Sequence, residues 1–461
     1  MKINDTLRYL NVGLPEDILR RKLHGDFDGA TRLIDRRLND PSTPDELRWC
    51  LTAQKEMIRR TLPDFPYSRE EAIALVRRHI PDFTEEELDE RIDSGRIRWI
   101  YHNGEIRIFN RFFDSMCKAD HPFAHRAGVT TYLPDPDVVS GKKEHKLDRV
   151  IRIMKEQGSI SNRIKVHAEV KLKDEFFTPG MFIRAHLPVP AACDTQSDIV
   201  IEAMYPETGM VAPEDALQRA VCWEENMEEN HVFWVEYSYT HKAVYHDLDK
   251  IVPDPVQPTF DTQEEAPHIV FTPYIKALAE KLSEGTDNPL EKARRFYDFI
   301  SLNCKYTFMP AYFILENIAE GSARSFTGDC GVFALLFITM CRCAGIPAQW
   351  ESGLQTEPTF CGGHDWARFY IAPHGWLYAD PSFGTGAVRE GSEERRKFFF
   401  GNMDAYRMVA NRAFQAGFTV DKDHWRADPY DNQLGEMETS DHGYSLQEFD
   451  RVKYVVSCEE I

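Results

Sequence analysis

One short motif and the long apolar run after it constrain the fold of this chain more than any other feature. The motif TGDCG spans residues 327–331, with Cys330 as its fourth member, and the apolar run continues over residues 332–344. A run of that length predicts a buried helix, and the Gly-Asp turn predicts that a loop enters the helix at the cysteine. Unpaired backbone amides at a helix start stabilise negative charge, which favours the thiolate. The motif therefore indicates a cysteine nucleophile.

Two later segments supply partners for this thiol. GHDW at residues 363–366 begins a predicted strand, and WLYADPS at residues 376–382 contains the next strand after a turn at residues 373–375. Antiparallel neighbours place the start of one strand beside the end of the next, so this hairpin would bring His364 and Asp380 together. We interpret His364 as the base for Cys330 and Asp380 as the carboxylate that orients the base. The Cys330 amide is a natural oxyanion donor, whereas the sequence does not select the second donor.

Each of these residues also has a structural interpretation. His374 is the histidine that competes with His364, but it lies in a predicted turn tip that faces water. Asp380 could instead stabilise the Pro-Ser turn that follows it. Asp329 and Asp365 are predicted to be solvent-facing or to stabilise turns. The order of the motifs nevertheless favours the catalytic interpretation of Cys330, His364 and Asp380.

A metal site is an alternative use of the same residue types. Cys341 with Cys343, and Cys361 with His364, could offer soft ligands, but neither pair has the spacing of a standard zinc site. Residues two apart on a helix point about 200° apart, so Cys341 and Cys343 cannot share one ion and are assigned to the core. The sequence contains no calcium-loop or phosphate-loop pattern. We therefore expect neither a metal nor a cofactor.

Four ordered motifs within residues 265–390 resemble the transglutaminase-like superfamily. They are GDCG at 328–331, Arg342 with AGIPA at 344–348, HDWA at 364–367, and GW at 375–376 with DPS at 380–382. The resemblance implies a papain-like core with a Cys-His-Asp triad, in which Cys330 is the nucleophile, His364 the base and Asp380 the orienting residue. The family includes cross-linking enzymes, peptidases, amidases and catalytically dead scaffolds, so it defines the chemistry better than the substrate.

Helices dominate the prediction for the N-terminal third of the chain. Start signals stand at Thr43, Ser68 and Thr84, the last two with a glutamate three residues later that completes a capping box. Alternating apolar residues on either side of Asn103-Gly104 predict a hairpin. Helices followed by a hairpin also outline a winged helix, which raises a nucleic-acid alternative; we favour a helical accessory domain because the whole chain is acidic.

Apolar and polar residues begin to alternate near Ile164, which is typical of strands, and several prolines lie near residue 255. The predicted class is α+β: a papain/transglutaminase-like core, with its nucleophile helix packed on an antiparallel sheet, an N-terminal helical domain and a β-sandwich domain. The β-rich part is similar to the sandwich that precedes the core in many bacterial members of the family. The predicted segments are a helical accessory domain with a hairpin at 1–150, a β-sandwich at 160–252, a linker at 253–267, the catalytic core at 268–400, and a C-terminal extension packing on the core at 401–461.

Net charge and cysteine content indicate which classes of partner and which cellular compartment to expect. The formal charge of −20, from 75 acidic and 55 basic residues, argues against nucleic-acid or anionic-membrane partners. Ten scattered cysteines, and an N-terminus that does not resemble a signal peptide, favour a reduced, cytoplasmic protein. We predict a cysteine-dependent hydrolase of amide or peptide bonds, with a peptide, protein or small-amide substrate. The alternatives are a transglutaminase and a non-catalytic transglutaminase-like binding module.

Overall fold

The computed structural model describes residues 2–461, which contain both helices and strands. The α-helices are, in chain order, α1 Glu16–Leu23, α2 Phe27–Leu38, α3 Asp45–Asp64, α4 Arg69–Arg77, α5 Glu85–Asp93, α6 Phe112–Ala119, α7 His121–Arg126, α8 Pro136–Val139, α9 Lys146–Gln157, α10 Pro273–Leu282, α11 Pro289–Asn303, α12 Ile318–Ser325, α13 Cys330–Cys343, α14 Pro381–Arg389 and α15 Glu393–Phe398. The strands are β1 Trp99–His102, β2 Glu105–Ile108, β3 Ser159–Leu172, β4 Met181–Pro188, β5 Gln196–Tyr205, β6 Met210–Val211, β7 Ala220–Met227, β8 Phe233–Val244, β9 Lys305–Tyr306, β10 Thr327–Gly328, β11 Ala348–Glu357, β12 Phe360–Ile371, β13 Gly375–Ala379, β14 Phe400–Gly401, β15 Arg407–Asn411, β16 Glu436–Glu438 and β17 Phe449–Glu460. Short 3-10 helices occupy Asn4–Val12, Asp174–Phe176, Leu248–Lys250 and Tyr312–Ile314.

Two compact units are present, and each combines segments that are distant in sequence. The first unit contains residues 2–143, Glu265–Val270 and Cys304–Asp329; the second contains Glu144–Glu264, Phe271–Asn303 and Cys330–Ile461. The division into five consecutive segments stays a prediction. Within residues 2–461, every helix is too short or too polar to cross a lipid bilayer.

The first unit is mainly helical, and its helix starts show how local sequence determines structure. Ser68 and Thr84 each form the predicted capping box, at the starts of α4 and α5. The prediction of a Thr43 cap is wrong: α3 begins after Pro44 without a side-chain cap, because the Thr43 hydroxyl donates to the carbonyl of Arg37 at 2.7 Å. The predicted hairpin is confirmed as β1 and β2, joined at Asn103-Gly104 with positive φ at both residues.

Two four-stranded sheets form a sandwich in the second unit. Their strand orders are β16-β4-β7-β6 and β17-β3-β8-β5. Alternate residues of both sheets contribute to one core, in which Val166, Ala185, Trp223 and Tyr237 are buried. Strands β16 and β17 come from the end of the chain, so the C-terminal residues complete both sheets of the sandwich.

A five-stranded antiparallel sheet in the same unit carries helix α13. Its strand order is β14-β13-β12-β11-β15. Helix α13 is buried from Gly331 to Arg342 and packs on β12, where the rings of Phe337 and Phe369 meet edge to face at 5.6 Å. The predicted fold class is therefore confirmed: the apolar run after TGDCG is a helix packed on an antiparallel sheet.

Candidate active site

Helix α13 begins at Cys330, as the motif predicts. The helix is buried from Gly331 to Arg342, whereas Cys330 itself is half-buried. Its thiol donates a hydrogen bond to Oδ2 of Asp365, on strand β12, at 3.2 Å. The sulfur therefore lies at the junction of the helix start and the strand that carries the predicted base.

Strands β12 and β13 form the predicted hairpin, and it brings His364 and Asp380 into contact. Ala367 pairs with Ala379 at the end of β13, so the next residue, Asp380, lies beside the part of β12 that precedes Ala367 and contains His364. His364 Nε2 lies 2.7 Å from Asp380 Oδ2, and the two residues are only 5% and 0% exposed. Burial excludes water from this hydrogen bond and strengthens it.

Asp380 has a second role at the start of helix α14. Its Oδ1 accepts hydrogen bonds from the backbone amide of Phe383 at 3.0 Å and from the hydroxyl of Ser382 at 2.8 Å. The two interpretations of Asp380 are thus not exclusive, since one oxygen caps a helix while the other holds His364. The cap fixes the carboxylate in position, and this in turn fixes the imidazole.

A buried arginine completes the electrostatics of this pair. Arg407, at the start of β15, is fully buried and places Nη1 3.1 Å from Oδ2 of Asp380. Its other side binds Asp404 through Nη2 at 2.5 Å and Nε at 2.9 Å. The guanidinium also lies over the ring of Phe383, 4.4 Å from its centroid.

These neighbours determine the protonation states. Burial alone would raise the pKa of Asp380, but the charges of His364 and Arg407 more than offset burial and hold that pKa below its ordinary value. Burial and the charge of Arg407 lower the pKa of His364, against the opposing effect of Asp380. At neutral pH the pair is therefore a carboxylate and a neutral imidazole, which is the form that can accept a proton.

Asp365 differs from its predicted environment. The prediction that it faces solvent or stabilises a turn is wrong: it lies within strand β12 and is only 4% exposed. Its Oδ2 accepts from the Cys330 thiol and its Oδ1 accepts from Nε2 of Gln433. His364 and Asp365 are consecutive on β12, so their side chains leave opposite faces of the strand. In this conformation the thiol is paired with the Asp365 carboxylate and the imidazole with Asp380.

Three residues at the site were missed by the sequence analysis. Arg407, Asp404 and Gln433 all lie beyond residue 400, where the sequence has little periodicity. Among the described residues, the side chains of His, Cys, Asp and Glu form no group of three or more that could hold a metal ion. The roles of Cys330, His364 and Asp380 in catalysis stay a prediction.

Comparison with known proteins places this hairpin and helix in a family. Residues 276–381 match the model of the transglutaminase-like superfamily core, and this stretch contains Cys330, His364 and Asp380. Residues 276–381 are a transglutaminase-like core domain. An uncharacterized protein of Bacillus subtilis, YebA, is 25% identical over 129 residues, or 24% of this chain. That match covers 17% of YebA, so this chain spans only a small part of its curated relative.

Two solved structures are also similar to this chain. A crystal structure named "Putative Cysteine Protease from Cytophaga hutchinsonii" is 14% identical, with a TM-score of 0.42 over 66% of this chain and 91% of that chain. The periplasmic domain of TgpA from Pseudomonas aeruginosa is 13% identical, with a TM-score of 0.27 over 54% of this chain and 95% of that chain.

Proposed function

We propose that the protein is a cysteine-dependent hydrolase of amide or peptide bonds. The observation that carries this proposal is the buried His364–Asp380 hydrogen bond of 2.7 Å, on the strand against which the helix of Cys330 packs. A buried neutral imidazole held by an ionised carboxylate is the arrangement of a general base. The match of residues 276–381 to the transglutaminase-like core supports a thiol partner for that base.

The reaction would proceed through an acyl-thioester. His364 Nε2 is engaged by Asp380, so proton exchange with Cys330 would use Nδ1 of the same ring. The Cys330 sulfur attacks the substrate carbonyl carbon, the C–N bond breaks, and the imidazolium returns the proton to the leaving nitrogen. Water, deprotonated by His364, then attacks the thioester and releases the acid and the free thiol.

Transfer of the acyl group to an amine is the other outcome of the same intermediate. Water is the default acceptor, whereas an amine would need a shaped and water-excluding acceptor site. An assay of ammonia release from glutamine-containing peptides, with and without a primary amine, separates the two reactions. We expect release without amine; product that forms only with amine would replace hydrolysis by transamidation.

Variants test whether this site performs the chemistry. We expect Cys330→Ser, His364→Gln and Asp380→Asn each to lower turnover by at least about a hundredfold, since triad members act as a unit. His374→Gln is a matched control, because that imidazole contacts the backbone of Val252 at 3.1 and 3.2 Å instead. Absence of turnover in the unmodified protein would leave the non-catalytic binding module as the function, whereas equal turnover in Cys330→Ser would exclude Cys330 as the nucleophile.

A further inference from the structure

The Cys330 thiol donates its hydrogen bond to a carboxylate. Asp365 Oδ2 accepts from Sγ at 3.2 Å and Asp365 is almost fully buried, with 4% of its surface exposed. A carboxylate in this position stabilises the protonated sulfur. It also opposes ionisation, because a thiolate and a carboxylate at that distance repel each other in a poorly solvated site.

Residues of the C-terminal segment hold Asp365 in this position. Gln433 Nε2 donates to Asp365 Oδ1 and to Asp431 Oδ2, the latter at 2.9 Å. Asp431 Oδ2 also accepts from the Ser352 hydroxyl at 2.5 Å, and Ser352 accepts from Nδ2 of Asn411 at 3.0 Å. We call this chain of hydrogen bonds the relay; its members Asp431, Ser352 and Asn411 are each at most 4% exposed. Asp365 is therefore fixed by a chain of buried hydrogen bonds.

Gly363 leaves room for the Gln433 side chain beside strand β12. Gly363 lies under Gln433, and a β-carbon at position 363 would stand 2.4 Å from Gln433 Oε1, well inside contact distance. The glycine before His364 thus lets the amide of Gln433 approach β12.

Other charges around the relay do not cancel the effect of Asp365. Burial raises the pKa of Asp431, and burial together with Asp431 raises the pKa of Asp428. These two carboxyls therefore take up protons more readily than exposed ones and add less negative charge. Arg426 and Glu436 are further charged groups that act on these two carboxyls, and Asp380 and Arg407 act on His364, on the opposite face of β12.

We propose that Asp365, fixed by Gln433, is a positioning residue that keeps Cys330 in its thiol form until a substrate arrives. This inference rests on the proposed function, because it assigns the resting state of the same nucleophile. A carbonyl group that enters beside the sulfur must displace the S–H···O hydrogen bond, and the thiol must turn away from Asp365 before its proton passes to His364. The enzyme would thus be latent towards small electrophiles at neutral pH.

The alkylation rate of Cys330 by iodoacetamide between pH 5 and 10 tests this, with mass spectrometry resolving each cysteine peptide. We expect Asp365→Asn, which is nearly isosteric, to shift the Cys330 profile about one pH unit lower and so to raise the rate at pH 7 about tenfold. Asp365→Ala should shift the profile in the same direction. Glu351→Gln, which neutralises a buried carboxyl that binds Trp366 at 3.0 Å and Arg368 at 3.2 Å instead, is the matched control and should leave the profile nearly unchanged.

Two internal readouts keep the result interpretable. Cys341 is fully buried, so its labelling stays negligible in a variant that has folded. The wild-type protein supplies a measurement without any Asp365 variant: the 240 nm thiolate absorbance, as a difference from Cys330→Ser, should give Cys330 a pKa at or above about 8.5. A pKa below that value, an unmoved or raised profile in Asp365→Asn, or an equal shift in Glu351→Gln would each overturn the proposal.

Failure of this inference and failure of the proposed function give different results. Loss of Cys330 reactivity in Asp365→Asn would make Asp365 the base and overturn its role as a restraint. Full peptide turnover in His364→Gln would instead contradict the proposed hydrolase, whatever the Asp365 variants do.

Discussion

Replacement of Arg407 by methionine tests how the C-terminal segment supports the candidate site. Methionine keeps most of the volume but removes the charge, and it leaves the buried carboxylates of Asp380 and Asp404 without their shared cation. Breaking a buried pair by removing one partner costs about 3–5 kcal/mol. Both carboxylates retain other donors: His364 and the α14 cap for Asp380, and the Tyr406 amide, at 2.8 Å, for Asp404. We therefore expect a loss near the middle of that range, about 4 kcal/mol, or roughly three orders of magnitude in the folding equilibrium.

The assay must report on this unit, because a chain with two units need not unfold in one step. Peptide-resolved hydrogen exchange in increasing urea, read on the β12 and β13 amides, measures the local free energy of opening. Arg407→Lys is the control that keeps the charge but loses the two-sided geometry, and it should lose less. In the double variant Arg407→Met/Asp404→Asn one unpaired carboxylate is removed, so part of the loss should be recovered. A loss below about 1 kcal/mol in Arg407→Met, or no recovery in the double variant, would refute this account of the pair.

Three further changes test other parts of the structure. His186 is fully buried, and burial lowers its pKa from 6.5 to about 3, so the unfolded state binds the extra proton first as the pH falls. The free energy of unfolding should therefore decrease below about pH 6.5, by roughly 2–3 kcal/mol at pH 4.5. Urea midpoints of His186→Gln should depend less on pH than those of the unmodified protein. Gly353→Ala should destabilise the five-stranded sheet strongly, because its β-carbon would lie 2.0 Å from the backbone oxygen of Met408. Thermal denaturation measures this, with Gly386→Ala as the comparison, since a β-carbon at position 386 would meet no atom within 4 Å. Ser68→Ala removes the acceptor for the Glu71 amide and should destabilise α4 by about 1 kcal/mol. Hydrogen exchange of the α4 amides measures this, and an unchanged exchange rate would contradict the capping box.

Local sequence signals predicted the elements that carry the candidate site. The apolar run after Cys330 has no interpretation other than a buried helix, and the turn at residues 373–375 between two aromatic-rich runs specifies the hairpin. The hairpin register then places Asp380 beside His364 without further information. These predictions succeeded because the periodicity of a strand or helix depends on neighbours within a few residues.

Residue partners across long sequence distances could not be predicted in this way. Asp365 was expected to face solvent or to stabilise a turn, whereas it is buried and its donor, Gln433, is 68 residues away. Arg407 lies in a five-residue strand, too short for its alternation to show which side chain would pair with Asp380. A single polar residue in an irregular segment leaves no periodic signal, so only the folded structure identifies its partner.

The C-terminal segment therefore has a different relation to the candidate site from that of the core motifs. The motifs position a thiol, an imidazole and a carboxylate through regular elements, whereas the later residues act through individual buried charges and amides. Arg407 lowers the pKa of Asp380 and of His364, and Gln433 fixes the carboxylate that accepts from Cys330. Since β16 and β17 also complete the sandwich, loss of the tail would remove the electrostatic support of the site and two strands of its scaffold together. Point substitutions such as Arg407→Met separate these roles, because they remove a charge while the strands remain paired.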